Sequence, residues 1–322
     1  MNEFLSSYKT PAIDLIAVTR GPGLEPALWT GITFAQALSA AWNVPVVGID
    51  HMEAHLVASL LARTDADVTR LPAKALAQAG TNAEQTQIDA EKLEPRSYKL
   101  EPASLPLLAL LISGGHTELV LMRDWFSYEL LGATKDDAVG EAFDKVARLL
   151  GLPYPGGPHI AELASRARTN ADSTRTNAEK IIFPRPMASD TTCDFSFSAI
   201  KTAVLYKLKS IRSVNDTDRE HIAQAFEDAV RDILVIKTRR ALEEAKPKTL
   251  VVGGGVSANT HIRKGIEKLI GKEFSDVSLH FPDPSLTGDN AIMIGAAAYL
   301  RHITGRENGR DIRAEGSLML HR

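Results

Sequence analysis

From Leu105 to Ile112 the chain carries no polar side chain. A strand that is apolar at every position has no solvent side, so both of its faces must be covered, and helices packed on a sheet provide that cover. The flanking sequence keeps the same logic. Ile13 to Thr19 and Val44 to Ile49 read as buried strands with a helix from Ala27 to Trp42 between them, Thr117 to Met122 resumes as a strand, and Thr249 to Val252 leads towards a helix that runs through Leu269. The pattern predicts an α/β protein. Its 322 residues, 44% hydrophobic and 24% charged, are enough for two lobes and a substantial core.

Two stretches interrupt the alternation. Thr64 to Ser104 is polar and contains Pro72, Gly80, Pro95 and Pro102, which reads as a solvated excursion; Arg166 to Lys180 reads the same way. Thr-Asn-Ala followed by an acid recurs at Thr81, Thr169 and Thr176, a low-complexity surface pattern. No apolar run reaches the ~18 residues of a membrane span, and the opening Met-Asn-Glu-Phe-Leu-Ser lacks a basic region followed by a hydrophobic one, so a cytoplasmic location without membrane contact is expected. The single cysteine, Cys193, excludes an internal disulfide framework and points to a packing role. A net charge of -3 argues against strong nonspecific nucleic-acid binding while leaving room for a local basic patch. Lys237, Arg239 and Arg240 form such a cluster, read here as the solvated face of a helix.

His51, Glu53 and His55 follow a turn-like Gly48-Ile49-Asp50 and open an apolar helical run. Positions four apart are rotated by only about 40°, so both imidazoles share one face and can grip one metal ion, although a capping histidine followed by a packed one gives the same spacing. Glu53 lies about 200° around from His51. Near the C-terminus, Asp289 precedes an apolar helix from Ala291 to Leu300, where it serves either as a cap or as a third ligand. Two imidazoles and a carboxylate with open positions suit iron or zinc.

Glycines mark the other loops. Ser113-Gly114-Gly115-His116 is either a plain hairpin turn or a cradle whose N–H groups face an anion. Gly253-Gly254-Gly255-Val256-Ser257-Ala258-Asn259 opens a helix, where unpaired N–H groups favour a nucleotide; Ser257 as an N-cap is the simpler alternative. Glu141 and Asp144 share the face of a helix that ends near Gly151, where they either accept bonds from ribose hydroxyls or remain solvated acids. Tyr154-Pro155-Gly156-Gly157-Pro158 is a sharp reversal open to close approach.

In order, His-Met-Glu-Ala-His, Ser-Gly-Gly-His-Thr, Gly-Glu-Ala-Phe-Asp-Lys, Tyr-Pro-Gly-Gly-Pro, Asp-Phe-Ser-Phe-Ser-Ala-Ile-Lys-Thr, Gly-Gly-Gly-Val-Ser-Ala-Asn and Gly-Asp-Asn-Ala resemble the TsaD family of tRNA threonylcarbamoyladenosine transferases, from about Ile13 to Leu300. The resemblance implies the two-lobed actin-like ATPase (ASKHA) fold, divided here into 1–104 and 105–322 with the C-terminal helix returning to the first lobe. It implies transfer of a threonylcarbamoyl group from threonylcarbamoyl-AMP to N6 of the adenosine 3′ to the anticodon. It carries over His51, His55 and Asp289 as ligands of one divalent ion, iron before zinc. Leu111, Ile112, Ser113, Gly114 and Gly115 match the segment around the phosphate and acyl group, and Asp144, Gly157 and Asn259 match positions around ribose and adenine. No residue is singled out as general base. The implied partners are tRNA, a paralogous TsaB-type subunit and a TsaE-type ATPase.

Two departures from the family pattern stand out. The family's opening Gly-Ile-Glu-Thr-Ser-Cys-Asp-Glu-Thr-like segment has no counterpart, so the first lobe is expected to be truncated, its strands to lack neighbours, and the chain to be aggregation-prone or partner-bound and poorly active alone. Ala199 also stands where the family usually has Gly. A catalytically impaired assembly subunit and a metallopeptidase are the competing readings, and the outward rotation of Glu53 counts against the second.

Overall fold

The computed structural model describes residues 12–63, 98–174, 181–306 and 312–320. The first unit pairs β1 (Ile16–Gly21) and β2 (Val46–Asp50) in parallel, joined by α1 (Glu25–Trp42). Proline in the first turn of α1 has no N–H to waste there, and Asn43 ends the helix at φ 54, a conformation that asparagine tolerates. From β2 the chain passes directly into α2 (His51–Ala58), and then into β3 (Leu61–Arg63), which pairs antiparallel with β4 (Tyr98–Leu100).

The main sheet has five strands in the order β7-β6-β5-β8-β9, built from β5 (Leu107–Ile112), β6 (Thr117–Asp124), β7 (Ser127–Ala133), β8 (Thr249–Gly253) and β9 (Ser278–His280). The β5–β6 and β6–β7 pairs are antiparallel, while β5–β8 and β8–β9 are parallel. The fully apolar β5 sits centrally, and its residues divide by parity as a pleated strand requires. Leu108, Leu110 and Ile112 enter one core with residues of α3 (Val139–Leu149), α4 (Gly156–Thr174), α5 (Ser198–Ser210), α6 (Asp216–Ala245) and α7 (Thr260–Glu273). Leu107, Ala109 and Leu111 enter the other, formed with α2 and α8 (Ala291–Ile303). Both faces of the strand are covered, which is why no position in it is polar.

Several segments depart from expectation. Most of the predicted excursion lies outside the described residues, but its end forms β4 rather than irregular chain. Arg166 to Lys180 is not a polar loop in its first half, because α4 continues to Thr174; buried Ile160, Ala164 and Ala167, spaced four and three apart, seat the helix. The basic cluster on α6 is not a solvated face. Lys237 is fully buried against Asp190, Arg240 donates to the Thr192 carbonyl at 2.7 Å, and Arg239 pairs with Glu273. β1 is less enclosed than a central strand, with only Gly21 buried. Cys193 is buried, and burial pushes its thiol pKa up, in keeping with a packing role.

Glu53 shows how α2 is held. Its carboxylate is fully buried, receives both Nε and Nη2 of Arg301 at 2.6 Å, and accepts the Tyr128 hydroxyl at 2.8 Å. The Arg301 guanidinium also lies 4.3 Å over the Phe126 ring. A buried charge that loses its partner is destabilising by about 3–5 kcal/mol, whereas an apolar replacement of both partners is much cheaper. Glu53→Ala and Arg301→Ala are each expected to lower the unfolding free energy by that amount in denaturant titration. Glu53→Leu combined with Arg301→Met should cost less than either.

Candidate metal centre and nucleotide pocket

Asp50 closes β2 and caps α2, accepting the N–H groups of Met52 and Glu53 at 2.7 and 3.1 Å. This cap fixes the first turn, so His51 and His55 rise on one face while Glu53 turns to Arg301. Their rings meet edge to face with centroids 4.7 Å apart. Asp289 arrives from the chain just before α8, where Asn290, not Asp289, supplies the cap by accepting from the Met293 N–H. Asp289 is thereby free to face the histidines. Its Oδ1 lies 3.2 Å from the Nε2 of both His51 and His55, and the three donor atoms fall within 4.8 Å of one another. Ligands about 2.1 Å from an ion, at tetrahedral or octahedral angles, are separated by roughly 3.0–3.4 Å, so the triad has the spacing of a coordination edge as well as of hydrogen bonds. Bonds from His51 and His55 hold the Asp289 carboxyl well below the usual carboxylate range.

The floor of the centre is backbone packed without slack. A Cβ on Gly253 would meet the His55 carbonyl oxygen at 2.7 Å, and one on Gly254, whose φ is 91°, would meet the Ile112 carbonyl oxygen at 2.5 Å. Glycine at these positions lets β8 run directly beneath α2. Ser113 to Gly115 form the turn between β5 and β6, with the Ser113 N–H bonded to the His116 carbonyl at 2.9 Å and nothing within 4 Å of a Cβ on either glycine. A cavity of about 1050 Å³ brings His51, Asp289, Ser113, Gly114, Gly115 and His116 together.

His116 was not singled out as a site residue from the sequence. Burial, and then the charges of His51 and His55, lower its pKa. Glu118 lines the same cavity, and its pKa is raised by burial and by Asp50. The only sequence signal for either was proximity to the Ser-Gly-Gly turn.

A second cavity of about 600 Å³ adjoins the first at Gly114 and contains Asp144, Gly157 and Asn259. Asp144 uses Oδ1 to accept the Gly156 N–H at 2.7 Å, which anchors the Pro-Gly-Gly turn and leaves its second oxygen for a ligand. Asn259 is more committed. Its Oδ1 caps α7 by accepting from His261 and Ile262 N–H, both at 3.0 Å, and its Nδ2 donates to the buried Glu227 at 2.6 Å. Asn259, rather than Ser257, is therefore the cap, and the Ser257 hydroxyl is buried among residues that give it no hydrogen bond. Arg168 neutralises Glu227 at 2.6 Å and reaches Asp228 at 3.0 Å. Leu111 and Ile112 lie wholly within the cores, so only their backbone can face a ligand.

A sheet flanked by helices thus sets a two-histidine, one-carboxylate cluster that could hold a metal ion beside glycine-lined turns. The fold has solved counterparts: HypF of T. kodakarensis superimposes with a TM-score of 0.55 at 14% identity, over 93% of this chain and 42% of that one. A full-length HypF in a phosphate- and nucleotide-bound form gives 0.54 at 12% identity, over 90% and 39%. The chain thus spans about two fifths of either, and the likeness is one of fold, which together with the family match supports an ASKHA-like α/β fold. A family model, tRNA N6-adenosine threonylcarbamoyltransferase, matches residues 3–95 and 93–296. The chain belongs to that family, TsaD. Relatives of that name from Burkholderia thailandensis and Burkholderia cenocepacia are each 40% identical, covering 90% and 92% of this chain and 71% and 73% of theirs. Among the described residues no helix is long and apolar enough to cross a membrane.

Burial raises the Asp50 pKa from 3.8 to about 6. The folded state therefore binds this proton more tightly than the unfolded one, and its contribution to stability is present below pH ~4 and declines as pH rises towards 6. Asn caps helices as well as Asp. In the metal-free chain, Asp50→Asn is expected to gain roughly 1–3 kcal/mol relative to wild type between pH 4 and pH 7, read from denaturant midpoints at the two pH values.

Proposed function

We propose that the chain transfers the threonylcarbamoyl group of threonylcarbamoyl-AMP to N6 of the adenosine 3′ to the anticodon, in tRNAs that read codons beginning with A. The observation that carries the reading is the continuity of the His51–His55–Asp289 cluster with the Ser113–Gly115 turn and the cavity holding Asp144 and Asn259, in a chain of this family. An acylated nucleotide has three parts, and these surfaces offer a place for each. In this reading the second oxygen of Asp144 takes the ribose hydroxyls, the Gly114 and Gly115 N–H groups take the phosphate, and the His51–His55–Asp289 cluster takes the acyl end.

His51, His55 and Asp289 would hold one divalent ion, for which iron is our choice and zinc the alternative; when bound it supplies Lewis-acid polarisation of a carbonyl. The N6 amine attacks the carbamoyl carbon, the bond to the phosphate oxygen breaks, AMP leaves with that electron pair, and the amine gives up a proton. The chain contributes orientation and fixed donors, which lower such a barrier without a covalent enzyme intermediate. Glu53, locked to Arg301 and Tyr128, offers no base beside the histidines, which removes the basis for a peptidase. We further propose division into lobes at 1–104 and 105–322, a cytoplasmic setting, and cooperation with a TsaB-type subunit and a TsaE-type ATPase.

The decisive experiment is threonylcarbamoyl transfer by the purified chain with adenylate and unmodified tRNA, alone and with those partners; no modified nucleoside under either condition refutes the proposal. His51→Ala and His55→Ala should each lose most bound metal by elemental analysis, together with most transfer. Full metal content in both variants removes the ligand assignment. Asp144→Asn keeps an acceptor for the Gly156 N–H but loses the charge offered to ribose, so calorimetry should show adenylate binding weakened by about 1–2 kcal/mol with metal content unchanged.

A further inference from the structure

From Asn259, where the nucleotide cavity ends, α7 carries His261, Lys264, Lys268 and Lys272 away along one face, at helical spacings of three and four. α6 lies alongside and turns Arg231 and Arg239 to the same groove, a cleft of about 560 Å³. Gly265 sets this close approach, since a Cβ there would come within 2.8 Å of the Arg231 side chain. The acids lining the cleft are Asp232 and Glu273, and both are occupied by its arginines: Asp232 by Arg231 at 2.6 Å, Glu273 by Arg239 at 2.7 Å.

The lysines are placed differently. Lys264, Lys268 and Lys272 are exposed, and among the described residues none is paired with a carboxylate. Four residues of helix advance about 6 Å, so the ammoniums form an evenly stepped row. A chain with net charge -3 has no general excess of cations, which makes this row a local feature of one groove. Lysine is a point charge on a flexible stem and tolerates any orientation of a phosphate, unlike the planar fork of arginine.

We propose that the α6–α7 groove binds the sugar-phosphate backbone of the tRNA acceptor, with Lys264, Lys268 and Lys272 contacting phosphates in series. The inference rests on the transferase reading: an acceptor nucleotide that meets the adenylate must lay the rest of its strand against neighbouring surface, and this groove begins one helical turn from the nucleotide cavity. A row of fixed charges contributes affinity and placement without reading sequence.

The test measures tRNA binding by fluorescence anisotropy over a salt series, with wild-type chain, a triple Lys→Gln variant at Lys264, Lys268 and Lys272, and a triple Lys→Arg variant. Each lost phosphate contact removes about 0.7–0.9 from the slope of log K against log salt. The Gln variant should bind tRNA at least tenfold more weakly at low salt, with the slope reduced by about 2–3, while its affinity for threonylcarbamoyl-AMP is unchanged. The Arg variant should retain the wild-type slope. A Gln variant that binds adenylate normally and keeps wild-type tRNA affinity and slope overturns the groove, even with transfer intact. A wild-type chain that binds adenylate but neither binds nor modifies tRNA overturns the transferase reading as well, so the two failures are distinct.

Discussion

The buried ion pair between Glu53 and Arg301 is the constraint on which the site depends. It ties α2, which carries two of the metal-ligand candidates, to α8, whose start is immediately preceded by the third. All of α2 except His51 is buried, so the helix has no polar face to orient it and no slack with which to adjust. A charge pair with two parallel hydrogen bonds fixes both rotation and axial position, which apolar packing alone does more loosely. The approach of Asp289 to both imidazoles is the outcome of that registration at the opposite face of the helix.

A second polar network orders the rim of the smaller cavity. Asn259 begins α7, Glu227 sits within α6, and Arg168 belongs to α4; their hydrogen bonds link three helices at the rim of one cavity. The two networks lie on opposite faces of the five-stranded sheet, one in each core, and the backbone at the ends of β5 and β8 runs between them. The strand ends of β5 and β8 therefore fix how the His51–His55–Asp289 cluster and Asp144 stand to one another.

The parts of this arrangement that were legible in the sequence are those written in short-range patterns. The unbroken apolar run of β5, the four-residue spacing of His51 and His55, and the paired glycines each speak for themselves. Asp289 speaks less clearly, because nothing local marks a residue 234 positions from His55 as its neighbour: its place before a helix fits a cap as well as a ligand, and the resemblance to a family chose between them. The far half of α4 was missed because Ala167 is the one buried side chain described there, within a polar, repetitive stretch. Lys237 was misread because its partner, Asp190, lies in a loop that periodicity does not describe, and Arg301 gave no hint of Glu53 because 248 residues separate the two helices that carry them. His116 was visible as a letter in a turn, but not as a group facing the histidine pair.

The long span between His55 and Asp289 has a thermodynamic side. An ion bound by both joins segments 234 residues apart, and so acts as a staple across most of the folded chain. Because the intact cluster exists only when α2 and α8 are both docked, such an ion favours the native state by mass action, and folding and metal supply become one equilibrium. For a cell short of that metal, such a protein would lose folded molecules as well as rate.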